Sequence, residues 1–261
     1  MPGMVGMGKP RGDGWVGYPV PRPAAAVRLF CLPYAGGGAS AFQDWPAGLP
    51  GVVEVAAVHL PGREGRFAEP PIDRMGVLVE VLADALPPHL DRPFAFFGHS
   101  MGARVGFELA RELRRRGARG PVRLFVSGCR APQLPPDPPT FDLPDDQLVA
   151  RLRELGGTPP EVFAQPELVE LLLPTVRADL TAVETVRFSP GPPLDCPIRA
   201  FGGSHDPEAT PEETAAWEAQ TRAGFTLQVL PGDHFFLHDQ RDALLTTVAA
   251  DLEADTAARA G

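Results

Sequence analysis

Lysine is almost missing from this chain: Lys9 is its only one, and the other residues among its 24 lysines and arginines are all arginine. A bias so uniform is a property of composition, so no arginine is singled out as functional merely for being one. Cysteine is scarce too. Cys31, Cys129 and Cys196 are odd in number and widely spaced, and two lie in or beside apolar strand-like runs, where a thiol behaves as a small buried hydrophobe. Neither a disulfide framework nor a metal cluster is expected from them. No apolar run approaches the roughly 20 residues that span a bilayer. The Gly- and Pro-rich stretch from Met1 to Pro23 has no apolar core of the secretory-signal kind, so it reads as a flexible tail (1–23) on a soluble, cytoplasmic protein. Positive charge is also in deficit. A net charge of −9 disfavours nucleic acid, whose phosphates demand a basic face. There is no internal repeat and no low-complexity block.

What is present is an alternation. Apolar runs at Ala25 to Leu32, Val52 to Val58, Phe94 to Gly98, Val122 to Ser127, Ile198 to Phe201 and Thr226 to Leu230 read as strands. Helical periodicity follows at Arg74 to Leu86, Ser100 to Arg116, Glu212 to Arg222 and Asp239 to Leu252. Strands alternating with helices predict an α/β fold with a mostly parallel central sheet covered on both faces. At 261 residues the chain suits one such core, since single cores stop growing near ~250–300 residues. The alternation breaks between Ala131 and Pro197, where prolines accompany helical stretches at Asp145 to Leu155 and Pro166 to Leu173. A strandless stretch of that length is an insertion rather than a loop, which divides the chain into a core (24–131 and 197–261) and an inserted subdomain (132–196). Its leucines, among them Leu148, Leu152 and Leu171, are expected either to pack the insertion onto the core or to wall a substrate chamber.

Gly98-His99-Ser100-Met101-Gly102 fits G-x-S-x-G between a predicted strand and a predicted helix, the setting in which a nucleophilic serine is lifted on a sharp turn. Glycines belong there because so tight a turn leaves no room for side chains. A serine hydroxyl needs a base and a group to orient that base, and in this fold the chain order is Ser, then Asp or Glu, then His. Of the six histidines, His205, His234 and His238 follow Ser100. His234 comes directly after a strand, at the sheet edge where Ser100 stands, and is the preferred base. Asp206, in the turn after the Ile198 strand, is the preferred orienter. Asp233 competes from the position next to the base, and Asp195 lies at the wrong edge of its strand. Oxyanion donors are expected at the Met101 amide, where a helix begins, and in the loop Pro33-Tyr34-Ala35-Gly36-Gly37-Gly38, with Ala35 the choice there. That glycine run lacks the following Lys-Ser/Thr of a phosphate loop.

Leu32-Pro33-Tyr34-Ala35-Gly36-Gly37, Leu60-Pro61-Gly62-Arg63-Glu64, the Ser100 motif and Gly232-Asp233-His234-Phe235-Phe236 resemble the motifs of the stand-alone editing (type II) thioesterases of polyketide and nonribosomal peptide synthases, within the α/β-hydrolase superfamily. The resemblance implies removal of stalled or aberrant acyl groups from the phosphopantetheine arm of acyl or peptidyl carrier proteins. It implies that Ser100, Asp206 and His234 match the family's triad, that the insertion is a helical lid, and that no metal or soluble cofactor is needed. The resemblance implies acidic carrier domains, so a chain at −9 is expected to meet them weakly and transiently; a monomer is expected. For Arg63 the expectation is a structural ion pair. Rival readings are a medium-chain acyl-carrier thioesterase releasing fatty acids, a carboxylesterase on small oxoesters and a catalytically dead binding module.

Overall fold

The strands at the centre of the sheet have no polar side to turn to water. β2 (Val27–Leu32), β3 (Val53–Val58), β4 (Phe94–His99) and β5 (Leu124–Ser127) are buried at every position, as parallel strands covered on both faces must be. The structure, a computed structural model that describes residues 14–260, adds a short β1 (Val16–Gly17) at one edge and β6 (Ile198–Gly203) and β7 (Phe225–Leu230) at the other. The sheet order is β1-β3-β2-β4-β5-β6-β7. Every neighbouring pair is parallel except β1, which runs antiparallel to β3. This is the expected α/β architecture.

β1 corrects the reading of a tail that continues to Pro23. Val16 and Gly17 pair with Val58 and Ala57, the Arg66 guanidinium sits 3.6 Å from the centre of the Trp15 ring, and Arg22 donates to the carbonyls of Leu49, Pro50 and Val53. Two strand residues carry no periodicity, so this pairing leaves no local signal. The rest of the expected tail, residues 1–13, lies outside the described residues.

Helix α1 (Met75–Ala85) precedes β4 and α2 (Met101–Arg115) leaves it. Between β5 and β6 lie α3 (Asp145–Leu155), α4 (Pro160–Phe163) and α5 (Pro166–Thr185). The chain ends through α6 (Pro211–Ala215), α7 (Phe236–Asp239) and α8 (Arg241–Ala260). Alternation along each strand splits the core in two. Phe30, Phe96, Leu124 and Val126 pack with Leu78, Leu82, Val105 and Leu109 of α1 and α2; Leu29, Phe97 and Phe125 pack with Leu244, Leu245, Val248 and Leu252 of α8.

Helix α5 departs from the sequence expectation, which ended it at Leu173. It runs on through Pro174 to Thr185. An interior proline costs about 3 kcal/mol. The turns beyond it bury Val176 and Ala182, while Leu173 is buried just before it, and each large apolar side chain buried returns about 1.5–3 kcal/mol. Tertiary burial therefore overrides the local stop signal. Pro211 to Gln220 divides in the opposite sense, its second half winding as a 3-10 helix (Ala216–Gln220).

Candidate active site

Leaving β4, the chain reverses at Ser100 with φ +52° and ψ −118°, a conformation strained for any residue with a Cβ. The turn is possible because its flanks are bare. A Cβ on Gly98 would lie 2.1 Å from the Gly102 carbonyl oxygen, and one on Gly102 would lie 2.1 Å from that of Leu32. The Ser100 amide donates to the Ser127 carbonyl at 2.8 Å, fastening the turn to the next strand. Ser100 is thus held at the carboxyl edge of the sheet, where open α/β folds bind ligands.

Asp206 and His234 are brought together by strand register. Gly203 of β6 stands opposite Leu230 of β7, and pairing continues into the loops, the Ser204 amide donating to the Leu230 carbonyl and the His205 amide to that of Gly232. The next turns of chain deliver the two side chains to one place. His234 Nδ1 is 3.0 Å from each Asp206 carboxylate oxygen. A carboxylate only accepts, so Nδ1 holds the proton and donates, which leaves the Nε2 lone pair available as a base. Asp206 Oδ1 also accepts from the amides of Glu208 at 2.8 Å and Ala209 at 3.3 Å. Both side chains are buried.

The competing residues are engaged elsewhere. Asp233 Oδ1 accepts from the Phe235 amide at 3.0 Å, and Asp195 is ion-paired with Arg222. His205 Nδ1 meets Ser204 Oγ at 2.8 Å. The His238 ring stacks on Phe235 with centroids 5.8 Å apart. His99 Nδ1 and Ser127 Oγ form a second histidine–serine contact at 3.0 Å. Both residues have no exposure at all, so this pair cannot meet a substrate; instead His99 packs against His234, with ring centroids 5.1 Å apart.

Ser100 and His234 open onto one cavity of about 650 Å³, whose wall includes Tyr34, Ala35, Leu152 and Leu171. Among the described residues no hydrogen bond joins Ser100 to His234; such contacts commonly tighten only when substrate is bound. Leu152 and Leu171 line this cavity, together with Leu155, Leu168 and Leu172. Leu148 does not. It is fully buried and absent from the cavity wall.

The amides around the cavity can be accounted for one by one. In the loop after β2, Gly36 donates to Asp179 Oδ2 at 2.8 Å, Gly37 to the Tyr34 carbonyl at 2.9 Å, and Ala39 and Ser40 to the Glu64 carboxylate at 3.0 Å each. Among the described residues this leaves the amides of Tyr34, Ala35 and Gly38 uncommitted. Met101 is the first residue of α2, so its amide has no acceptor within the helix.

Asp179 was not anticipated. It is 2% exposed on the inner half of α5, and Arg63, 8% exposed, grips it with two hydrogen bonds of 2.6 and 2.8 Å. Burial holds the Asp179 carboxyl above its ordinary range, although Arg63 and the Gly36 amide pull it back. The signal was present in sequence as one acid on the apolar stripe of Val176, Asp179 and Ala182, since a charge there must be paired. The ion pair expected for Arg63 is real; its partner, over a hundred residues away, could not be named beforehand.

Residues 27–252 match the family model described as thioesterase domain. The chain is 44% identical over 230 residues to the gramicidin S biosynthesis protein GrsT of Aneurinibacillus migulanus, covering 88% of this chain and 90% of that protein. Its structure is similar to that of RedJ, a thioesterase from the prodiginine pathway of Streptomyces coelicolor, with a TM-score of 0.85 and 46% identity, covering 88% of this chain and 92% of the other. It is equally similar, at 0.85 and 41% identity, to BorB, a type II thioesterase from the borrelidin biosynthetic cluster, covering 93% of this chain and 99% of the other.

The site carries one consequence for stability. Burial, with His234 and His238 adding to it, holds His99 well below its ordinary pKa, so folded His99 stays neutral where the unfolded chain takes up a proton. Stability is therefore lost as pH falls below about 6.5, and between pH 7.5 and 5.5 one such histidine costs about 1.4 kcal/mol. Urea unfolding at these two pH values should show the wild type losing about that much more than His99→Asn. Equal losses in the two proteins would assign the proton uptake to other groups.

Proposed function

The chain belongs to the thioesterase family, as a stand-alone type II thioesterase of polyketide and nonribosomal peptide pathways, and from that premise we propose that Ser100, His234 and Asp206 carry its chemistry on acyl groups borne by a carrier protein's phosphopantetheine arm. One observation supports this above the others. His234, hydrogen-bonded to Asp206 at 3.0 Å, opens on the same cavity as a serine held on a strained turn.

His234 Nε2 takes the Ser100 proton as Oγ attacks the thioester carbonyl, and Asp206 stabilises the imidazolium that results. The Met101 and Ala35 amides donate to the tetrahedral oxyanion. Collapse breaks the carbon–sulfur bond. The pantetheine sulfur needs little protonation to depart, since a thiol pKa is near ~8.5, and as it leaves it takes the proton held on His234, so that a free thiol is released and the imidazole is neutral again. His234 then takes a proton from water, which attacks the acyl-Ser100 ester, and returns it to Ser100 as the carboxylic acid leaves. α3 and α5 form a lid over this chamber, and their leucines hold the acyl chain. Carrier domains dock weakly and transiently, and the enzyme acts as a monomer.

Intact-mass measurement of acyl loss from a panel of acyl carrier proteins tests the reading. Ser100→Ala should lower turnover by on the order of a thousandfold or more with the circular dichroism unchanged; activity within tenfold of wild type would remove Ser100 from its role. His234→Ala should be nearly as damaging and His238→Ala mild, and a reversal of the two would move the base.

Asp206→Asn should reduce kcat by roughly three to four orders of magnitude through the wrong imidazole tautomer, while Asp233→Asn changes it little. Equal effects in single-turnover assays would contradict Asp206 as orienter.

Leu171→Trp should reduce kcat/KM for long acyl chains far more than for acetyl or propionyl, because the added volume meets only the longer chain. A loss equal at every chain length, with the fold retained, would mean that α5 does not wall the acyl site.

A further inference from the structure

The loop that bears the Ala35 amide is held from outside itself. Asp179 Oδ2 accepts the Gly36 amide at 2.8 Å, Arg63 donates to the Gly37 carbonyl at 3.0 Å, and the two side chains are joined by a bidentate ion pair. Val176, one turn before Asp179, presses on the same loop, its Cγ2 2.7 Å from where a Cβ on Gly36 would stand. Thr175 Oγ1 donates to the Gly62 carbonyl at 2.8 Å, tying α5 to the segment that carries Arg63. The loop, the Leu60 to Glu64 segment and the inner half of α5 thus meet around one buried pair.

We infer that Arg63 and Asp179 are positioning residues for the oxyanion site, a role that rests on the proposed use of the Ala35 amide. Their effect has two parts. The first is geometric. By taking the Gly36 amide and the Gly37 carbonyl, the pair fixes the peptide planes next to Ala35, and an oxyanion donor must be held close to its productive direction before the charge develops. The second is electrostatic. A carboxylate that grips the residue beside an oxyanion donor would repel the negative charge forming there, in surroundings where water screens little. The Arg63 guanidinium, bound through both arms, cancels that charge, so Asp179 can orient the loop without opposing the reaction.

The test separates positioning from folding. Replacing a buried ion pair by apolar residues of similar size is commonly neutral or stabilising, so Arg63→Met/Asp179→Leu should keep its melting temperature within a few degrees of wild type. Its kcat on acyl-N-acetylcysteamine thioesters should fall at least tenfold, with KM within threefold. Affinity for an alkyl trifluoromethyl ketone, whose hemiketal with Ser100 reproduces the oxyanion, should fall in proportion to kcat/KM, while affinity for the product carboxylic acid holds. Arg63→Lys keeps the buried charge but loses the two-armed grip, and should show a smaller loss in the same parameters. A folded double variant with kcat within twofold of wild type, or analogue affinity that stays constant while kcat falls, overturns the inference. Should the double variant not fold, an Arg63→Lys kcat within twofold of wild type overturns it equally. Ser100→Ala, assayed in parallel, distinguishes the two failures: turnover by that variant would refute the catalytic reading itself, whereas an inert Ser100→Ala beside a fully active pair variant would refute only the positioning role.

Discussion

A backbone reversal at one residue sets the tolerances for everything around it. Ser100 holds φ +52°, a state that costs on the order of 1–3 kcal/mol and persists only where its surroundings over-determine it. Here they do. β4 is paired on both sides, with β2 and β5, the Ser100 amide is bound to Ser127, and α2 is pressed so close that the Leu32 carbonyl occupies the space of a Gly102 side chain. A one-residue slip in β4 would exchange the two faces of its phenylalanines and move the serine off the sheet edge. The double-sided core is therefore what keeps the serine in place.

Two of the ion pairs that tie the insertion between β5 and β6 to the core are of unequal strength. On α3, Arg151 pairs with Glu208, in the loop that follows Asp206, and both side chains keep about a third of their exposure. Such pairs contribute about 0–1 kcal/mol. On α5, Arg63 and Asp179 are nearly fully buried, and removing one partner of such a pair costs about 3–5 kcal/mol. The outer part of α5, with Leu168 and Leu171 exposed, lies before Pro174, where the helix lacks one backbone hydrogen bond; the inner part is locked to the loop after β2. One helix thus combines a loosely held chamber wall with a fixed support for the proposed chemistry.

The aromatic packing around His234 has a related logic. His99 and Phe235 crowd the His234 ring, with centroids 5.1 Å away in each case, and the Phe235 ring fills the space a side chain on Gly157 would need. The imidazole is oriented by Asp206 through its polar edge and confined by aromatic rings elsewhere, so neither influence acts alone.

Much of this molecule follows from local pattern. The buried strands were legible because parallel strands without a wet face become unbroken apolar runs, and the elbow was legible because its glycines answer to a steric limit a few residues wide. Ser100, Asp206 and His234 could be selected because chain order and strand ends restrict which side chains can share a sheet edge. The passage of α5 through Pro174, the docking of Trp15 and Val16, the inward turn of Leu148 and the partnership of Arg63 with Asp179 were decided only by the tertiary structure. Each depends on contacts between segments far apart in the chain, whose burial energy outweighs the local preference of proline, of a two-residue strand or of an isolated charge, and sequence spacing carries no trace of which distant surface will supply that burial.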